Sequence, residues 1–302
     1  MVIENDDDNK VFNIAFRTPP KNSTGVAHIL EHSVLCGSRD FPLKDPFVEL
    51  VKGSLNTFLN AMTYPDKTVY PVASCNDKDF QNLMDVYLDG VFHPSIYREP
   101  KIFKQEGWHY ELPSEDAPLT VNGVVYNEMK GAFSSPESVL ERFTSSVLFP
   151  DTPYSNESGG DPAVIPNLSY EQFIQFHKDY YHPANSYIYL YGDMDMEEKL
   201  AFLDEHYLSH FDYLDVDSVI QEQKEFGACR DVTLEYPVAE NEGEEDNTYL
   251  SYNMVVGNAA DSQMAMAFEV LDYALLSAPG APLKQALLDV KAGKDVYGSY
   301  DD

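Results

Sequence analysis

Residues 24–37 read TGVAHILEHSVLCG, and they are the most informative stretch of this 302-residue chain. Thr24 is a suitable helix N-cap and Gly37 a suitable stop, so the sequence predicts a helix from Gly25 to about Cys36. Most side chains between these limits are apolar, which indicates that the helix is largely buried.

His28, Glu31 and His32 lie three and four positions apart, so a helix places all three on one face. Their order is the reverse of the HExxH zinc motif and matches its known inverted form. Neutral imidazoles are good zinc ligands, and a site with three protein ligands leaves one position for water. Zinc lowers the pKa of that water, and a neighbouring carboxylate completes its deprotonation. The pattern therefore predicts zinc ligands at His28 and His32 and a general base at Glu31.

A plainer interpretation of the same pattern is a helix that carries a polar stripe. Burying two imidazoles and a carboxylate without partners is unfavourable, which supports the metal site. The residues alone leave the third ligand open among Glu49, Glu99, Glu106, Glu111 and Glu128. Of these, Glu128 has the most suggestive context, because it lies in the apolar segment 124–131, VVYNEMKG.

The other histidines are weaker candidates. His206 and His210 are also four apart, but polar residues surround them and no carboxylate occupies the position of a base, so a solvated helix face is expected. The isolated histidines are interpreted as structural: His93, His109, His177 and His182.

Composition and charge narrow the class of protein. The hydrophobic fraction of 43% is typical of a globular chain, and the formal net charge is −31. Such a charge repels phosphate, so no nucleic acid and no membrane surface is expected as a partner. It would attract metal ions and basic peptides, and its plainer interpretation is solubility alone. No apolar run reaches the length of a membrane span. The three cysteines form no CxxC pair, so reduced thiols and a cytoplasmic location are expected.

Strands and helices alternate irregularly along the chain. Strands are predicted at 11–16, 68–72 and 186–191, and helices at 79–92, 136–148, 170–181 and 196–211. Ser135 and Ser169 are the expected N-caps of the second and third of these helices. The irregular order favours an α+β fold over a doubly wound parallel sheet.

The pattern divides the chain near residue 214. We predict a zinc-binding catalytic domain at 1–214, a linker at 215–230 and an incomplete second domain at 231–302. In that last part the pattern predicts strands at 231–234 and 249–255, a solvated acidic loop at 240–246 and a helix at 265–276. So few elements would not close a second domain as large as the first, and the sequence is interpreted as truncated.

Several motifs, taken in order, resemble the pitrilysin/insulinase superfamily of zinc metallopeptidases and, within it, the presequence protease branch. The resemblance is carried by the segments 25–38 (GVAHILEHSVLCGS), 60–63 (NAMT), 123–131 (GVVYNEMKG), 158–162 (SGGDP) and 181–185 (YHPAN). It extends from about residue 11 to the end of the chain.

The resemblance implies roles for particular residues. One zinc ion per chain would be held by His28, His32 and Glu128, with Glu31 as the general base. Four further residues would contact the substrate: Asn60 and Ala61 by strand pairing with the peptide backbone, and Leu35 and Phe47 as the lining of an apolar side-chain pocket. The implied fold is a pitrilysin-like antiparallel sheet packed with helices, and the implied activity is hydrolysis of short unstructured peptides.

Members of this branch are much longer, and their C-terminal half supplies further residues of the substrate site. The resemblance therefore implies two partners, a peptide substrate and that missing half, and predicts that this chain binds zinc but has little or no peptidase activity alone. The alternative is a non-catalytic scaffold or binding relative of the processing-peptidase core subunits. A non-proteolytic zinc hydrolase is a third class, against which the strand at 60–63 argues.

Overall fold

The structure, a computed structural model, describes residues 1–238, 243, 245, 247–291 and 293–301. The chain forms two compact units, Met1–Leu250 and Ser251–Asp302. The acidic loop predicted at 240–246 lies outside the described residues, except for positions 243 and 245. All three cysteines are free. Within the described part of the chain, no helix combines the length and the apolar character needed to cross a bilayer.

One sheet organises the first unit. Its strands are β1 (Val2–Glu4), β2 (Lys10–Arg17), β3 (Asn56–Leu59), β4 (Met62–Thr63), β5 (Lys67–Ser74) and β8 (Ser186–Gly192). They follow the order β1-β8-β2-β5-β3, and β4 also pairs with β5. The β1–β8 pair is parallel and the other pairs are antiparallel. A separate hairpin joins β6 (His109–Glu111) to β7 (Thr120–Asn122).

The helices complete an α+β arrangement. Those described in the first unit are α1 (Val26–Val34), α2 (Pro46–Gly53), α3 (Asp77–Phe92), α4 (Lys101–Glu106), α5 (Val124–Ala132), α6 (Pro136–Leu148), α7 (Tyr170–Tyr180) and α8 (Met196–His206). The second unit contains α9 (Ser262–Asp272), a π-helical turn at Tyr273–Ser277 and α10 (Pro282–Asp289). The α+β class expected from the sequence is confirmed, and the helix expected at 265–276 is present with shifted ends.

The core of the first unit forms where α1 and α3 pack on the sheet. Strand β2 alternates strictly, with Phe12, Ile14 and Phe16 fully buried, as expected of a strand with one face inward. The apolar face predicted for α3 is buried throughout: Phe80, Leu83, Met84, Tyr87, Leu88 and Val91. Because burial follows the period of each element, the sequence pattern is sufficient to predict these two elements.

Helix starts show one correction. The predicted caps at Ser135 and Ser169 are confirmed, and Ser169 forms a full capping box. The predicted N-cap of α1, Thr24, is wrong: Gly25 takes that position with a φ of 67° and no side-chain cap. The Thr24 hydroxyl instead donates to Asn22 Oδ1 at 2.6 Å. Position 25 accepts only glycine, because a β-carbon there would lie 2.7 Å from the carbonyl oxygen of Gly159.

Several segments differ from the sequence prediction. Residues 231–234 and 249–255 are exposed and form no strand, since no described strand pairs with either segment and an apolar alternation needs such a partner. Helix α8 ends at His206, because Tyr207 leaves the helical conformation and a 3₁₀ turn follows. Conversely, the acidic N-terminal segment carries little strand signal, yet Val2–Glu4 forms β1 beside β8.

Candidate metal centre

Helix α1 brings His28, Glu31 and His32 together on one face, as their spacing predicts. One donor atom from each lies within 4.8 Å of the others, and the two imidazole rings meet edge to face with centroids 5.0 Å apart. His28 and Glu31 are buried, and His32 is half-buried. Polar groups removed from water in this way need polar or charged partners nearby.

Glu128 on α5 supplies a carboxylate that faces both histidines. Its Oε1 lies 3.7 Å from His28 Nε2, and its Oε2 lies 3.8 Å from His32 Nε2. These separations are too long for direct hydrogen bonds, although the groups face one another. The Glu128 side chain is 54% exposed, so solvent can reach the space between the three groups.

The other glutamates that the sequence leaves open are placed differently. Glu49 on α2 and Glu99, just before α4, are exposed, and Glu111 accepts a hydrogen bond from Asn122. Glu106 is buried near the site, but it contacts the opposite ring nitrogen of His32. Of the five candidates, Glu128 is therefore the one whose carboxylate faces the Nε2 atoms of both histidines.

Each imidazole is held through its Nδ1 atom. His28 Nδ1 lies 3.0 Å from the carbonyl oxygen of Gly159, and His32 Nδ1 lies 3.3 Å from Glu106 Oε2. A carbonyl oxygen can only accept, so His28 carries its proton on Nδ1 and directs the lone pair of Nε2 toward Glu128. Metal-binding histidines are usually oriented by a carbonyl or a carboxylate in this way.

The charges around His32 alter its protonation. Burial lowers the pKa of His32, but the hydrogen bond to Glu106 and the charges of Glu31, Glu106 and Glu128 outweigh burial, so the pKa is raised overall. Burial raises the pKa of Glu106, but its hydrogen bonds to His32 and Gln105 outweigh burial, so that pKa is lowered overall. These surroundings favour positive charge beside the carboxylates, a preference that a bound cation also satisfies.

Glycines let the loop around Gly159 approach α1. A β-carbon on Gly160 would lie 2.9 Å from Gly25 Cα, and both of these glycines have positive φ, 105° and 67°. Larger residues would be strained there and would push the loop away. The carbonyl that orients His28 therefore depends on glycines from two motifs that are distant in sequence.

The donor set fits zinc. Two imidazoles and one carboxylate are the ligands of many catalytic zinc sites, in which a fourth position stays open. The Nδ1 contacts leave both Nε2 atoms available, and Glu128 adds the carboxylate. Glu31 remains as a separate carboxylate beside them, and its Oε2 accepts a hydrogen bond from Thr63 Oγ1 at 2.9 Å.

Asn60 and Ala61 connect β3 to β4 at the edge of the sheet. Asn60 N–H donates to the Pro71 carbonyl at 3.3 Å, so the backbone of Asn60 faces β5. Backbone groups alternate along a strand, and those of Ala61 and Thr63 therefore point toward the open edge. Ala61 N–H donates to Asn60 Oδ1 at 3.0 Å. Of the two predicted residues, Ala61 is the one that exposes its backbone to a partner strand.

Leu35 and Phe47 lie against the same small apolar pocket, which Leu50 and Tyr87 also line. The side chains fill this pocket so closely that it leaves no volume for a water molecule. The structure thus brings the two predicted lining residues together, in a closed arrangement.

The remaining histidines have the surroundings expected of structural or surface residues. His206 and His210 are exposed, and α8 ends between them, so they do not share a helix face. His177 is buried between the Tyr97 hydroxyl and the Val91 carbonyl. His182 accepts a hydrogen bond from Ala184 N–H.

Three supporting residues have no role assigned by the sequence: Glu106, Gly159 and Thr63. Each lies in or near a segment that the sequence singles out, as a candidate glutamate or as part of the SGGDP and NAMT motifs. Their contacts with α1 span 74, 131 and 32 positions. Such contacts depend on the tertiary fold, so local spacing could not have predicted them.

Comparison with known proteins gives two family matches and several relatives. The family model described as insulinase (peptidase family M16) matches residues 16–112, and the one described as peptidase M16 inactive domain matches residues 167–302. Protein HypA of Clostridium perfringens is 58% identical over 300 residues, which cover 99% of this chain and 31% of that protein. Presequence protease 1, chloroplastic/mitochondrial, of Arabidopsis thaliana is 48% identical over 304 residues, covering 99% and 28%.

The mitochondrial presequence protease of Danio rerio is 40% identical over 305 residues, covering 97% of this chain and 29% of that protein. The chain thus spans 28–31% of the length of these curated relatives.

Solved structures support the fold. Pitrilysin matches with a TM-score of 0.53 at 19% identity, covering 69% of this chain and 21% of pitrilysin. The first half of the periplasmic protease PqqL from Escherichia coli matches with a TM-score of 0.52 at 19% identity, covering 72% of this chain and 44% of that one. At this identity the likeness concerns the fold, and it confirms the pitrilysin-like architecture that the sequence predicts.

Proposed function

Since the chain belongs to the insulinase family of peptidases, M16, and its likeness to presequence proteases holds over nearly its whole length, we propose that it carries the zinc-binding catalytic site of a peptidase that hydrolyses short unstructured peptides. The observation that carries this proposal is the position of Glu128, which faces the Nε2 atoms of His28 and His32 while Glu31 stands beside them.

In this proposal His28, His32 and Glu128 hold one zinc ion, the metal that peptidases of this family generally use. When bound there, zinc polarises the scissile carbonyl and lowers the pKa of a water molecule. Gly159 and Glu106 orient the two imidazoles for this task through Nδ1. The half-exposed position of Glu128 leaves the fourth side of the site open to water and substrate.

Glu31 acts as the general base. It takes a proton from the water whose oxygen bonds to the peptide carbonyl carbon, and it delivers that proton to the amine nitrogen that leaves when the C–N bond breaks. Burial of Glu31 keeps bulk water from competing for this transfer, and the hydrogen bond from Thr63 occupies its other oxygen.

The peptide would bind along the open edge beside β4. The outward-facing backbone of Ala61 can pair with an extended peptide whatever its sequence, and the Asn60 side chain would release Ala61 N–H for this purpose. Leu35 and Phe47 would open their pocket for an apolar side chain. The net charge of −31 favours encounters with basic peptides.

A non-catalytic scaffold is the alternative function. The match over residues 167–302 to a domain described as inactive is the observation in its favour. All the site residues named above precede residue 167, however, so that match does not describe the site. The presence of a base together with three candidate ligands supports the catalytic proposal.

Metal content tests the site. We expect about one zinc per chain in the wild type and a large loss in His28→Ala, because that variant removes one ligand. His206→Ala is a matched control, since His206 is exposed and lies outside the site. Equal zinc in all three proteins would contradict the ligand assignment.

Peptide cleavage tests the activity. Because the relatives are about three times longer, we propose that the 302 residues alone have little or no peptidase activity and that the remainder of the Clostridium relative, added as a separate polypeptide, raises the rate. Glu31→Gln is expected to abolish cleavage while zinc stays bound. Cleavage retained by that variant would rule out Glu31 as the base, and fast turnover by the chain alone would contradict the need for the remainder.

A further inference from the structure

Thr63, in strand β4 at the edge of the sheet, is hydrogen-bonded to the proposed base Glu31 on helix α1. Its hydroxyl donates to Glu31 Oε2 at 2.9 Å, with Thr63 half-buried and Glu31 buried. Hydrogen bonds to an ionised carboxylate are stronger than those between neutral groups, and shielding from water strengthens them further. This contact is therefore a directional link between two elements that are 32 positions apart.

The backbone of Thr63 is fixed by a short hairpin. Strand β4 pairs with β5 so that Thr63 lies opposite Thr68, and Tyr64 N–H donates to the Lys67 carbonyl at 2.8 Å. The Thr68 hydroxyl lies 2.8 Å from the Thr18 hydroxyl in the core. A β-branched side chain on so constrained a strand has few rotamers, so the Thr63 hydroxyl is presented to Glu31 in one direction.

The two oxygens of Glu31 have different surroundings. Oε2 accepts from Thr63, whereas Oε1 accepts no hydrogen bond from the residues that the structure describes. A carboxylate that acts as a general base needs one oxygen free to accept a proton, and that oxygen must be held in a fixed orientation. The Thr63 contact supplies that direction without occupying the second oxygen.

We infer that Thr63 is a positioning residue for Glu31. Its hydroxyl holds the Glu31 carboxylate at a fixed position relative to β4, the strand along which the peptide is proposed to bind. The inference rests on the proposed function. The backbone of Thr63 faces the open edge while its side chain contacts Glu31, so one residue relates the position of the peptide backbone to the position of the base.

The kinetic test uses two substitutions of Thr63 in the zinc-loaded chain supplemented with the remainder of the Clostridium relative. Thr63→Val keeps the shape of the side chain and removes the hydroxyl, and it is expected to lower kcat roughly 10- to 100-fold with KM within about threefold. Thr63→Ser restores the hydroxyl and is expected to recover most of kcat. Zinc content is expected to be equal in all of these proteins, because Thr63 contacts none of the proposed ligands.

A second measurement needs neither turnover nor metal. In the metal-free chain, Thr63→Val is expected to lower the melting temperature by roughly 2–4 °C, the effect of losing one hydrogen bond to a charged group. In a Glu31→Ala background the same substitution is expected to change the melting temperature little, because its partner is already gone.

The outcomes separate the two levels of the argument. A kcat for Thr63→Val within about threefold of wild type, or additive effects on melting temperature, would overturn the inference and leave the proposed function standing. Absence of cleavage by the zinc-loaded wild type, with and without the remainder, would contradict the proposed function, and the inference with it.

Discussion

His28 and His32 each have one ring nitrogen engaged by the protein and one directed at Glu128. The HxxEH spacing predicts that both rings share a helix face, because that depends on helical geometry alone. It cannot predict which nitrogen is free, because the groups that decide this are Gly159 and Glu106, far away in sequence. Candidate ligands can therefore be predicted from the motif, whereas their tautomers and orientation depend on the tertiary fold.

The buried residue His177 predicts that the stability of the fold depends on pH. Its Nε2 lies 2.9 Å from the Val91 carbonyl and its Nδ1 lies 2.7 Å from the Tyr97 hydroxyl, so the neutral ring donates to one and accepts from the other. Burial lowers the pKa of His177 from 6.5 to about 4. The unfolded chain then binds a proton at a higher pH than the folded chain does. Stability from this residue is present above pH 6.5 and is lost as the pH falls toward 4, by about 3 kcal/mol.

Thermal or denaturant unfolding between pH 7 and pH 4 measures this loss. His177→Gln keeps an amide that can donate to Val91 but removes the titrating group, so its stability is expected to fall less steeply over the same range. Other groups titrate in both proteins, and the difference between the two curves isolates His177. Parallel curves would show that His177 does not take up a proton on unfolding.

Secondary structure elements differ in how far local sequence specifies them. Helices α6 and α7 start where Ser135 and Ser169 predict, because an N-cap acts on its own first turn. The N-cap of α1 is Gly25, where the close approach of the loop around Gly159 leaves no room for a β-carbon. The sequence shows neither this close approach nor the hydrogen bond from the Thr24 hydroxyl to Asn22, so the cap predicted at Thr24 is wrong.

Gly25→Ala tests the close approach at the start of α1. The new β-carbon would lie 2.7 Å from the Gly159 oxygen in a backbone with a φ of 67°, so both strain and displacement of that carbonyl are expected. We expect a stability loss of about 2 kcal/mol or more and weaker zinc binding, since His28 loses its orienting acceptor. Chemical denaturation and metal content measure the two effects.

Gly53→Ala is the matched control, because Gly53 ends α2 and a β-carbon there would meet nothing within 4 Å. We expect that variant to keep its zinc and to unfold within about 1 kcal/mol of wild type. Similar losses in both variants would indicate a general effect of alanine and would contradict the close-approach argument.

The chain between β3 and β4 also depends on a contact from a distant part of the sequence. Asn60 lies opposite Pro71, which has no N–H to donate to the Asn60 carbonyl. The hydroxyl of Tyr87 on α3 takes this role and donates to the Asn60 carbonyl at 3.1 Å. Pairing of the strand with β5 thus depends on a buried tyrosine from a helix, which neither strand pattern could have predicted.

Tyr87→Phe is expected to loosen the junction of β3 and β4. It leaves the Asn60 carbonyl without its donor, which costs about 1–3 kcal/mol of stability, and it allows the strand that pairs with peptide to shift. We expect several-fold weaker peptide binding in a Glu31→Gln background, measured by fluorescence anisotropy.

Tyr70→Phe is the matched control, because Tyr70 is equally buried but its hydroxyl lies 2.8 Å from that of Tyr181 and has no hydrogen bond to residues 56–63, all of which the structure describes. We expect unchanged peptide affinity in that variant. If the two variants weaken binding equally, the effect belongs to the core and not to the edge strand.

For the whole molecule, the sequence predicts the fold class better than it predicts where strands form and where domains end. The α+β class follows from the irregular order of elements, and the core of the first unit follows from the periodicity of β2 and α3. The strands predicted at 231–234 and 249–255 do not form. A strand is stabilised by hydrogen bonds to an adjacent strand, and no described strand pairs with either segment. Domain boundaries at 214 and 230 depend on those segments, and they stay a prediction.

The net charge of −31 is a property of the whole chain, and it predicts how fast the chain associates with charged peptides. A large net charge raises the encounter rate with ligands of the opposite sign, and salt screens this attraction over a Debye length of about 10 Å at 0.1 M. We expect the association rate of a basic unstructured peptide with the Glu31→Gln chain to fall at least several-fold between about 0.02 M and 0.5 M salt. A neutral peptide of equal length should change little, and stopped-flow fluorescence measures both. An equal response of the two peptides to salt would show that the charge serves solubility and does not select basic substrates, because screening acts only on the charged one.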